Sequence, residues 1–100
     1  MPKLANFPVV RALGAAFALG QALDARTVSA LRLRIAVKEL ALECEPLLED
    51  KECLAALAFL CAQVSILLER SRIDDAAKAP VRRSLERLSA RLRVLQDAAA

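Results

Sequence analysis

Apolar positions recur at spacings of three and four residues in four stretches of the chain, with polar breaks between them. That is the period of helices that each lay one side on a shared core. The first stretch predicts a helix over 7–23, with Asn6 as N-cap and Pro8 in its first turn. Its stripe is Val10, Leu13 and Phe17, widened by Val9, Ala16 and Leu23. The second predicts a helix over 28–45, with Leu33, Val37, Leu40, Cys44 and Leu47 along one side. Part of it, Leu31 to Lys38, also alternates in the two-residue period of a strand. The helical template extends further, and no other segment offers a strand partner. Helix is therefore the reading. Pro46 stops or kinks it.

The third stretch predicts a helix over 51–72, with Asp50 as N-cap. Its interior, Cys53 to Leu68, carries no charge in sixteen consecutive residues. A helix this apolar suits the centre of a bundle, an interface between proteins, or a membrane. Leu54, Leu57, Cys61, Val64 and Leu68 form its main side, broadened by Cys53, Leu60 and Leu67. Behind them runs a second seam, Ala55, Phe59, Ala62 and Ile66, in which small and large residues alternate. The second helix is also two-sided, with Val28, Leu31, Ile35 and Leu42 opposite its core stripe. After a linker over 73–79, a fourth helix is expected over 80–96, with Val81, Leu85, Leu88, Leu92 and Leu95 as a heptad seam. Arg82, Arg83, Arg87, Arg91 and Arg93 lie on its outer face.

These elements define an all-α fold: one domain over 1–100, a bundle of about four helices with helix 3 central. Composition agrees, because 57% of the 100 residues are hydrophobic while Gly and Pro number only two and four. Eleven Arg against four Lys suggest a GC-rich bacterial genome. The net charge of +3 is a patchwork, with six acids in 39–52 and five Arg in 82–93. Patches of opposite sign suit docking between proteins better than one nucleic-acid surface.

The chemistry of catalysis is largely missing. No His supplies a general base near neutral pH, and no Gly-rich loop cradles a phosphate. Cys44, Cys53 and Cys61 form no C-x-x-C pair and read as buried thiols in a reducing, cytoplasmic setting. The expectation is a protein without enzyme activity, cofactor, metal or catalytic residue. Its apolar surface exceeds what one small bundle buries, which points to a homodimer or a partner's helix in a groove. The candidate interface is Val28, Leu31, Ile35, Leu42, Ala55, Phe59, Ala62 and Ile66. The candidate basic partner-binding face is Arg82, Arg83, Arg87 and Arg91. The reading is a small regulator, inhibitor or chaperone-like adaptor that occupies another protein's surface.

Two alternatives compete. Helix 4 could neutralise nucleic-acid phosphates, although Trp and Tyr are absent and base stacking would rest on three Phe. The stretches Val9–Leu23 and Cys53–Leu68 could form a two-span membrane protein, but both fall short of the ~20 residues a span needs. Arg11 and Gln63 also interrupt them.

Overall fold

The computed structural model describes the backbone of residues 2–99 and the side chains of residues 7–98. Among the described residues it contains four α-helices and no strand: α1 (Pro2–Asp24), α2 (Ala30–Cys44), α3 (Lys51–Leu68) and α4 (Asp75–Ala99). A short 3-10 turn, Glu45–Leu47, follows α2, with Pro46 inside it. The alternating segment Leu31–Lys38 is helical.

Helix ends follow local capping. Ser29 caps α2 through its Oγ, which accepts from the Arg32 N–H at 3.2 Å. Asp50 caps α3 through Oδ1, which accepts from the Cys53 N–H at 2.8 Å. Three expected boundaries are corrected. α1 begins at Pro2, so Asn6 lies within the helix instead of capping it, and Pro2 takes the first helical place proposed for Pro8's turn. α3 stops at Leu68 rather than 72, because the Glu69 and Arg70 N–H groups close tight bonds to the Ile66 and Leu67 carbonyls. Nothing apolar in Glu69–Arg72 rewards a further turn. α4 starts five residues before Pro80, since the Asp74 carboxylate accepts from the Ala77 N–H at 2.8 Å. Pro80 is tolerated inside it, and its carbonyl accepts from the buried Ser84 hydroxyl at 2.8 Å.

The helices run alternately up and down. Arg11 near the start of α1 meets Glu43 near the end of α2, and Asp24 at the end of α1 meets Arg82 early in α4. Asp50 before α3 meets Arg91 late in α4. The helical hairpins α1–α2 and α3–α4 are joined along α1 and α4, whereas α2 and α3 touch only sparsely. Although the pattern put helix 3 at the centre, α1 and α4 form the broad contact between hairpins and α3 sits outside α4.

One core fills the space between the helices. α2 and α4 bury their expected stripes: Leu33, Leu40 and Cys44, and Val81, Leu88 and Leu92. α1 and α3 are rotated from expectation. α1 buries Val9, Ala12, Ala16, Leu19 and Leu23 and leaves Val10 and Phe17 exposed. α3 buries Cys53, Ala56, Leu57, Leu60, Val64 and Leu67 and leaves Leu54 exposed. Both helices are apolar nearly all round, so composition does not select a side. Close approach does, and the small Ala12, Ala16 and Ala56 permit it.

Candidate protein-interaction surfaces

The eight interface candidates are placed on two different sides of the bundle. Leu31, Ile35 and Leu42 are exposed on α2, at 65%, 49% and 58%, while Val28 is half-buried just before it. Leu42 borders a furrow shared with α1, beside Phe7, Pro8, Arg11 and Pro46. The furrow continues past the small α1 residues Gly14, Ala15 and Ala18 to Ile35 and Arg32. Arg11 and Glu43 bridge it, with Nε to Oε2 at 2.8 Å.

Ala55, Phe59, Ala62 and Ile66 are exposed on α3, and Phe59 belongs to the opposite hairpin's surface. It shares a furrow with Gln63 of α3 and with Pro80, Arg83, Ser84 and Arg87 of α4. The eight residues thus divide between the two hairpins, with Ile35 and Leu42 opening onto α1's flank and Phe59 onto α4's.

The basic candidates divide as well. Arg83 and Arg87 are exposed beside Phe59. Arg82 is tied to Asp24, its Nη2 donating to Oδ1 at 2.7 Å. Arg91 grips Asp50 with two donors, Nε to Oδ1 at 3.0 Å and Nη2 to Oδ2, and lies 3.3 Å from Glu52. Its hydrogen bonds, with the Cys53 N–H, hold the Asp50 carboxyl down at about 2. Arg91 is therefore a clasp between α4 and the start of α3 rather than part of an open basic face. Spacing alone could not separate it from Arg87, four residues away on the same face.

Among the described residues, five large hydrophobics outside the expected set extend the apolar surface: Phe7, Val10, Phe17, Leu54 and Val94. Phe17 is the most exposed large hydrophobic, at 69%, over a depression between α1 and α4 that also includes Leu13, Gly20, Leu85 and Ser89. Phe7 joins the α1–α2 furrow, and Leu54 widens the outer side of α3. The signal for Phe17 was present in the sequence. Ala12, Ala16, Leu19 and Leu23 keep the same spacing as the stripe containing Phe17, but two of them are small and add little to the apolar pattern.

The three cysteines are free thiols whose ionisation is disfavoured by burial. Cys44 and Cys53 are fully buried and share the core at the α2–α3 turn, and Cys61 is half-buried. Burial, with the neighbouring Cys53 second, pushes the Cys44 thiol up to about 12, and burial raises the other two. By length and composition, one helix among the described residues, Lys51–Leu68, could cross a membrane; its mean hydropathy is 1.7 and a third of it is buried. Among those residues no cluster of three or more His, Cys, Asp or Glu is placed to hold a metal ion. Comparison with known protein families, curated proteins and solved structures finds no match to this chain.

Proposed function

We propose that this chain is a non-enzymatic protein-interaction module, a small regulator, inhibitor or adaptor of a reducing, cytoplasmic setting that acts by covering a partner's surface. One observation carries the reading. Beside a continuous buried core, ten large hydrophobic side chains among the described residues stand 47–69% exposed. Single exposed hydrophobics are ordinary, but here several lie along common helix faces and furrows, the arrangement expected where another helix docks. The exposed Arg83 and Arg87 beside Phe59 would favour an acidic rim around such a helix.

The nucleic-acid alternative draws on the same arginines, yet Arg82 and Arg91 are occupied by Asp24 and Asp50. Fewer guanidiniums then remain to meet phosphates in a row.

The test is capture from the native host by the tagged full chain, with Leu42→Glu and Phe59→Glu probing the two hairpin surfaces separately. Both positions are exposed, so circular dichroism should stay unchanged. The expected result is a stoichiometric protein lost from one variant and retained by the other. Capture indifferent to both substitutions, or replaced by salt-sensitive binding to random duplex DNA, would overturn the reading.

A further inference from the structure

The outer side of α3 carries a sequence matched to itself. Ala55, Ala58, Ala62 and Ser65 are all exposed and run down the middle of that side. The larger Leu54 stands on one flank, with Phe59 and Ile66 on the other. A ridge of small residues lets a second helix approach closely, and the larger side chains would then close over its edges. The core-facing side of α3 is already fully used, so this outer side is the one left for association.

The charges at the two ends select the occupant. Lys51 opens the outer side and Glu69 closes it, eighteen positions later and both exposed. Eighteen residues make about five turns, so the two charges lie on one line of the helix, roughly 27 Å apart. Glu52 and Arg70, the next residues along, repeat the pattern with signs reversed on one flank. Glu52 is 74% exposed and only loosely held by Arg91, which leaves it open to another partner. No charge intervenes between these ends.

We infer that the outer side of α3 is a self-association surface that takes the α3 of a second copy in antiparallel orientation. The inference rests on the interaction reading above and names the partner for this surface. In that orientation Lys51 meets Glu69 of the second copy at both ends, and Glu52 comes beside its Arg70. A parallel pair would set like charges together at each end, which is unfavourable. The same register places Ala55 against Ser65 and Ala58 against Ala62 of the second copy, small against small throughout. A two-fold axis through the middle of the pair makes every contact occur twice. One helix pair is a small interface, so the dimer dissociates in the micromolar range.

Light scattering of the full chain across a concentration series should show the mass rising toward twice 10.8 kDa. Ala62→Glu should hold it at the monomer mass with unchanged helicity. Lys51→Glu should weaken association roughly tenfold, since the repulsion acts at both ends, and adding Glu69→Lys should restore it. A zero-length carbodiimide cross-link between Lys51 and Glu69 must form between chains, because the two lie too far apart within one. A wild type that stays monomeric at high micromolar concentration overturns the inference, as does a dimer without this cross-link or one indifferent to Ala62→Glu. Loss of self-association in favour of pelleting with phospholipid vesicles would also overturn it. A monomer that still captures a host protein through the α1–α2 furrow would leave the broader interaction reading standing and remove only this one.

Discussion

Asp50 holds three jobs at once. It caps α3, receives two donors from Arg91, and so ties the end of α4 to the α2–α3 turn. Its carboxyl sits at about 2 against an ordinary 3.8, so folding favours its ionised form. The unfolded chain therefore binds a proton first as pH falls, and stability from this group is present above about 3.8 and lost on the way down to about 2. Asp50→Asn keeps an acceptor for the Cys53 N–H but removes the charge that Arg91 grips. Urea unfolding should show wild type more stable than Asp50→Asn at neutral pH, with the gap closing between pH 4 and pH 2. A gap that stays constant across that window would mean the Arg91 clasp does not depend on the carboxylate's charge. The sequence revealed Asp50 as a cap, because capping is local. It did not reveal the clasp, because Arg91 lies forty-one residues away.

At the scale of the element, α1 contains a glycine that the fold does not need. Gly14 lies mid-helix, exposed, and a Cβ built on it meets nothing within 4 Å. Glycine costs a helix interior roughly 0.5–1 kcal/mol relative to alanine. Gly14→Ala should therefore stabilise the protein by about that much, raising Tm by roughly 4–8 °C per kcal/mol for a domain of this size. Thermal unfolding by circular dichroism reads this directly. An unchanged or lower Tm would show that Gly14 is required for the shape of the α1–α2 furrow.

The same helix shows where sequence reading stops. α4 has a charged back, and the back of α2 mixes charges with Leu31, Ile35 and Leu42, so their buried stripes were legible from spacing. α1 and α3 are apolar almost all round, and the choice of buried side depends on which small residues let neighbours approach. That is a property of pairs of helices, and no single segment records it. Helix ends followed a similar rule. Asp50 was legible from its local hydrogen bond, whereas α2, expected from 28, starts after the Ser29 cap. Pro80 masked the earlier cap at Asp74 because proline disfavours only the turn before it. The candidate interface was legible as exposed apolar stripes. Its division between two hairpins was not, since the handedness with which each helix leans on its neighbour emerges only in the assembled bundle.

The whole molecule measures 47 × 21 × 18 Å, an elongated bundle in which the hairpins α1–α2 and α3–α4 share the α1–α4 contact. The sparse meeting of α2 with α3 has a kinetic consequence. Each outer helix leans broadly on a single neighbour, while α1 and α4 are each held by two. Partial opening should therefore peel α2 or α3 away before the inner pair separates, because fewer buried contacts are broken. Native-state hydrogen exchange should rank the amides in that order, with α1 and α4 reporting global unfolding and α2 and α3 exchanging through smaller openings. Uniform protection across the four helices would show instead that the hairpins unfold as one unit. α2 and α3, which hold the two candidate interface stripes, are thus the helices freest to loosen. Any partner that binds them would act as a lock, slowing exchange at its own helix far more than at the inner pair.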